Sequence, residues 1–141
     1  MRGLQRVAIA RDVLQQLHED HYEAERGTYC DARFIGDDDS PSGCTVCALG
    51  ALFASAVAAT VKEPWDFRSD TMRAQLGRYF DLPQLHQIEV AFECSDKVLN
   101  AEWRGDYLDA AIQFGYNYPD DKARMIGIMS NIVRNKGTFV P

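Results

Sequence analysis

Residues 44 to 61 (Cys-Thr-Val-Cys-Ala-Leu-Gly-Ala-Leu-Phe-Ala-Ser-Ala-Val-Ala-Ala-Thr-Val) contain no charged side chain. A run this long and this apolar is either a bilayer span or a helix enclosed by other helices. Its make-up decides between them. Ala is its commonest residue, only Leu49, Leu52, Phe53 and a few Val favour lipid, an acidic loop precedes it, and no aromatic belt marks its Cys44 end. It reads as the central helix of a water-soluble bundle, ended by Glu63-Pro64. Its small residues Ala48, Ala51, Ala54, Ser55 and Ala58 let neighbouring helices come close.

The flanking sequence supplies those neighbours. Leu4, Val7, Ala10, Leu14, Leu17 and His21 recur at spacings of three and four, which predicts an amphipathic helix to about Glu25 with Gly27 as its C-terminal cap. Residues 28 to 43 read as a loop rich in turn formers. Ser69 or Asp70 can cap a helix running through Phe80. Asp81-Leu82-Pro83 reads as a cap with proline in the first turn of the next helix, whose apolar face is Leu85, Ile88 and Phe92. Residues 95 to 105 are ambiguous. A short helix with Leu108, Ala111 and Ile112 breaks at Gly115. The last helix opens at Pro119-Asp120-Asp121, buries Met125, Ile126, Met129, Ile132 and Val133, and closes at Asn135-Lys136-Gly137 before an extended tail. Only Thr28-Tyr29-Cys30 and Thr138-Phe139-Val140 are β-prone, too short for a sheet of any size. The expected fold is all-α, one domain over residues 1–141, with five to seven helices around the buried 44–61 segment.

A chain of 141 residues can bury a core without help from a metal or disulfide. Its net charge of −6 argues against direct nucleic-acid binding, which needs a basic face. An acidic protein is suited instead to a basic surface on a protein partner. The first residues lead straight into an amphipathic helix without an apolar leader core, so a cytoplasmic setting with reduced thiols is expected.

Cys44-Thr-Val-Cys47 is the one local motif that could carry chemistry. Placed at a helix start, it would have its thiolate favoured by backbone N–H groups and the helix dipole. A dithiol redox role would need a βαβ context, which the chain does not supply. Zinc is the other option, with Cys44 and Cys47 as one ligand pair and Cys30 with one of His18, His21 or Cys94 completing a tetrahedron, His21 being the favoured one. The second paired motif of such sites is missing. A bland packing role explains the same cysteines.

Two further groups could meet a partner. The run Asp37-Asp38-Asp39 lacks the alternating ligands of a calcium loop and offers an electronegative contact. Of the aromatic residues Trp65, Phe67, Trp103, Tyr107, Tyr116 and Tyr118 in the linkers, Trp65, Tyr116 and Tyr118 are the favoured interface anchors.

Three segments, Cys47-Ala-Leu-Gly-Ala-Leu-Phe53, Gln84 to Glu93 and Arg124 to Pro141, resemble a loose set of small uncharacterised bacterial and phage proteins. In those a Cys-Ala-Leu-Gly-Ala helix follows a glycine-containing loop, and Asn-x-Gly-x-Phe closes the chain. The resemblance implies a phage or mobile-element context and carries over no functional residue. The function expected is a non-catalytic acidic protein that inhibits a host complex, as an anti-CRISPR does. The alternatives are a small zinc- or thiol-dependent enzyme using Cys44 and Cys47, and an oligomeric structural accessory protein.

Overall fold

The computed structural model describes the backbone of residues 2–27, 30–34, 41–58 and 69–141, and side chains over 2–27, 45–56 and 72–141. The protein is mostly helical. In chain order the elements are α1 (Arg2–His18), β1 (Tyr22–Ala24), β2 (Cys30–Phe34), β3 (Pro41–Val46), α2 (Ala48–Ala58), α3 (Ser69–Leu76), α4 (Leu82–Glu93), two 3₁₀ turns (Ala101–Trp103 and Asp106–Leu108), α5 (Asp109–Tyr116) and α6 (Asp121–Arg134). One hydrophobic core runs from Ile9 to Phe139.

The apolar run is innermost, as its composition requires. Every described side chain from Val46 to Ala56 is buried, and α2 is in contact with α1, α3, α4 and β3. Among the described residues no helix is long and apolar enough to cross a membrane. The helix is shorter at its front than the sequence predicts. Cys44, Thr45 and Val46 belong to β3, and helical hydrogen bonding starts only at the Cys47 carbonyl, which accepts the Ala51 N–H. β3 is the middle strand of a three-stranded sheet, parallel to β1 with Tyr22 opposite Cys44, and antiparallel to β2 with Cys30 opposite Val46. The expectation of a plain loop over 28–43 is corrected accordingly: its described parts are strands. The expectation of a helix to Glu25 also fails. Asp20 takes a left-handed φ of 60°, which stops α1 at His18 and frees Tyr22–Ala24 to pair. Gly27, at φ 82°, serves the turn after β1 rather than a helix end.

Later elements follow their caps closely. Asp81 Oδ1 accepts the Gln84 N–H at 2.9 Å with Pro83 in the first turn, and Asp120 Oδ1 accepts the Ala123 N–H at 2.8 Å. α3 ends at Leu76, a turn before the expected Phe80, although Phe80 is buried. Of the expected α6 face, Met125, Met129 and Ile132 are buried, but Ile126 is 39% exposed and Ile128 takes its place inside.

The extended tail is held by two side-chain amides that imitate a neighbouring strand. Gln84 Nε2 donates to the Phe139 carbonyl and Gln84 Oε1 accepts its N–H, at 3.0 and 2.7 Å. Asn131 does the same for Val140. Phe139 is thereby pinned in the core with its ring edge-on to Phe114. Arg6 of α1 closes the same corner, its Nε donating to the Gly137 carbonyl.

Candidate functional site

The chemistry-bearing groups of the described residues gather along one side of α4. Leu85, Ile88 and Phe92 bury the apolar side, while His86, Glu89 and Glu93 follow at helical spacing and are drawn inward with it. Glu89 is 4% exposed and accepts from Arg73 Nη2 of α3 through both oxygens, at 3.2 and 2.8 Å. Burial pushes its carboxyl above the ordinary range, and Arg73 offsets that only in part. Glu93 is also raised, first by burial and then by the Glu89 charge, against the Gly27 N–H that reaches both its oxygens. Helical spacing alone places these glutamates beside the apolar face of α4 and does not bury them. A carboxylate inside the run Ile88-Glu89-Val90-Ala91-Phe92 was the available sign of a buried ion pair.

Cys47 lies beside them as the residue preceding α2. Its sulfur accepts the Gly50 N–H at 3.4 Å, the position a capping serine hydroxyl would hold. The helix-start environment was expected to favour a thiolate. Burial overrides it: the Cys47 thiol is pushed up to about 12 by desolvation, against the opposing pull of the Gly50 N–H, with smaller upward contributions from the charges of Glu93 and Glu89. At neutral pH this sulfur is a protonated cap.

His86 connects the cluster to the surface. Tyr107 Oη donates to the Trp103 carbonyl at 3.2 Å, and a hydroxyl has one proton to give, so the 3.0 Å contact with His86 is donated by Nδ1. The neutral ring is therefore the Nδ1–H tautomer. Its buried Nε2 has no hydrogen-bond partner among the described residues. Burial, and then the Arg73 charge, lower its basicity below that of a free imidazole.

A separate open groove of about 930 Å³ lies between β1 and the start of α6. Its charges are matched internally: Asp121 joins Arg26 at 3.1 Å and Arg124 at 2.7 Å, and Lys122 reaches Asp20 at 3.6 Å. Burial works against ionising Asp121, but the hydrogen bonds and charges of Arg124 and Arg26 hold it below the usual carboxylate range.

Comparisons of this chain with protein families, with characterised proteins and with solved structures find no match. They lend no support to the resemblance to phage proteins, and function has to be argued from the chain's own residues.

Only some of the residues singled out from the sequence are described with their side chains. Asp37, Asp38, Asp39 and Trp65 lie outside the described residues. Tyr116 is 63% exposed, with its hydroxyl donating to the Cys94 carbonyl. Tyr118 is half-buried, packed on Phe114 and lying over Gly127, where a Cβ would strike its ring. Of the proposed zinc ligands, Cys30 and Cys44 are described in backbone only, in β2 and β3. Cys47 is a buried cap, and His21 is exposed with its Nδ1 2.7 Å from Gln16 Oε1. Among the described residues no three His, Cys, Asp or Glu form a group that could hold a metal ion.

Proposed function

We propose that this chain is a non-catalytic acidic binding protein that occupies a basic surface on a larger host protein complex. The setting we favour is the host cytoplasm, with a phage or mobile element encoding an inhibitor of anti-CRISPR or other anti-defence type. The observation that carries the binding role is the state of Cys47. The one local motif with chemical potential contributes a protonated thiol that caps a helix, and the adjacent Glu89 is bound by Arg73. The net charge of −6 supports a basic partner and disfavours direct contact with nucleic acid.

The test is expression of the chain in a bacterial host with an active CRISPR interference system and, in parallel, other nuclease-based defences. Restored plasmid or phage propagation, retained by the Cys47→Ala variant and accompanied by a stoichiometric complex that dissociates in high salt, is the expected result. Unchanged defence with no complex in any such host would overturn the inhibitor role. An activity lost with Cys47 while the fold persists would point to a thiol enzyme instead.

A further inference from the structure

Residues 99 to 108 form an irregular knuckle between α4 and α5 that is held far more firmly than a connector needs. Leu99 and Leu108 are buried at its two ends. The Arg104 guanidinium ties the knuckle to the chain leading into it, donating to the carbonyls of Asp96, Lys97 and Leu99. His86 fixes both aromatic rings, donating to the Tyr107 hydroxyl and stacking with the Trp103 indole at 5.1 Å between centroids. Yet Trp103 remains 37% exposed and Tyr107 44%. A buried histidine is thus used to present aromatic surface to solvent, which costs apolar burial rather than gaining it. Rigid, half-exposed aromatics of this kind are the anchors of interfaces, because little side-chain freedom is lost when a partner covers them.

Their surroundings define the partner. Glu102 and Asp106 immediately precede the two rings, and Asp109 follows; all three are exposed and form no ion pair among the described residues. A planar cation satisfies both features at once, stacking on the indole face while its N–H groups bridge to carboxylates. An ammonium fits less well, being compact and strongly hydrated. Phosphate-bearing ligands are repelled.

We propose that the Trp103–Tyr107 knuckle is the docking surface for an arginine-bearing segment of a protein partner. This rests on the acidic-binding reading above and assigns it a place. The probe is a decapeptide of alternating Arg and Gly, with the Lys-Gly peptide as its comparison, titrated into the full chain and followed by NMR. The Trp103 indole N–H and the amides of residues 102–109 should shift, and the Arg peptide should bind more tightly than the Lys peptide. Trp103→Ala and the double variant Glu102→Gln/Asp106→Gln should each weaken binding about tenfold while the remaining spectrum keeps its dispersion. Binding of the Arg peptide that is indifferent to both variants overturns the knuckle and leaves the acidic-binding reading standing. Failure of the Arg peptide to bind likewise overturns the knuckle, while the acidic-binding reading stands or falls on the host assay above. A concentration-dependent dimer abolished by Trp103→Ala would make a second copy the occupant and overturn the proposal.

Discussion

Asn131 addresses Val140 as one β-strand addresses its neighbour, donating from Nδ2 to the Val140 carbonyl at 2.7 Å and accepting the Val140 N–H on Oδ1 at 2.8 Å. Asn135 fixes the amide's orientation through contacts to the Asn131 carbonyl and Oδ1. Asn131→Ala should cost about 1–3 kcal/mol, since it leaves two backbone groups of the tail without partners. Asn131→Asp is more diagnostic. Its carboxylate can accept the N–H but repels the carbonyl, so its folded pKa rises and the lost stability returns as pH falls toward about 4, where a protonated carboxyl can donate. Urea unfolding at pH 7 and pH 4 reads the difference; equal losses at both would contradict the clamp.

The Glu89–Arg73 pair sets the pH response of the core. Glu89 and Glu93 have folded pKa values raised above the unfolded value of 4.5, so the unfolded chain releases these protons more readily. Their influence is therefore most favourable below 4.5 and is lost as pH rises through the folded values. Removing Arg73 deepens that loss and shifts it upward. Arg73→Met should destabilise by about 3–5 kcal/mol at neutral pH. Much of this should return on acidification, or on adding Glu89→Leu. Thermal unfolding across pH 4–8 measures it, and a deficit independent of pH would be the contrary result. Asp121, lowered in the fold, acts oppositely: its contribution is present above 3.8 and vanishes as pH falls through its folded value.

Cys47 should resist modification until the protein unfolds. Iodoacetamide at pH 8 should leave it unlabelled in the native state and label it fully in urea, as mapped by peptide mass spectrometry. Cys47→Ser retains an acceptor for the Gly50 N–H and should change stability by less than about 0.5 kcal/mol, whereas Cys47→Val should cost about 1 kcal/mol. Treatment with a chelator should leave the unfolding temperature unchanged; a fall would revive the zinc reading.

Two glycines separate backbone from side-chain obstruction. A Cβ on Gly115 would run into the Ala91 carbonyl of α4 and stand 3.0 Å from the Cys94 sulfur. Gly115→Ala should therefore cost about 3 kcal/mol, with no relief from Cys94→Ala. The nearest atoms to a Cβ on Gly127 all belong to the Tyr118 side chain, which can swing away where a backbone carbonyl cannot. The cost of Gly127→Ala should fall to near zero in a Tyr118→Ala background. Denaturation midpoints of the four single variants and the two doubles decide whether the two sites differ in this way.

Helix caps were the most legible part of this fold. Asp81, Pro83 and Asp120 mark boundaries by a local hydrogen bond and a fixed φ, so nothing distant needs to be known. The sheet was not legible because Cys44, Thr45 and Val46 open a run without charges. An all-apolar run has no polar side, and the change from a two-residue to a 3.6-residue repeat leaves no trace in it. α1 was overextended for the opposite reason. His21 continues the three-and-four spacing by chance, while the left-handed turn at Asp20 depends on the short strand that follows. The site was half visible. Trp103 and Tyr107 stood out as linker aromatics, but His86, which joins them, looks from its spacing like any residue at the margin of an amphipathic helix. The Glu89–Arg73 pair joins residues 16 apart on two helices, and only their packing reveals it.

Arg6 meets the Gly137 carbonyl across 131 positions of chain, and α1 lies against α6. On a ribosome adding about 5–20 residues per second, the first helix waits several seconds or longer for the surface that will cover Ile9, Val13 and Leu17. Until then those side chains have only provisional cover. Maturation of this protein is consequently a late event in its own synthesis, and its exposure to chaperones and proteases is greatest in that interval.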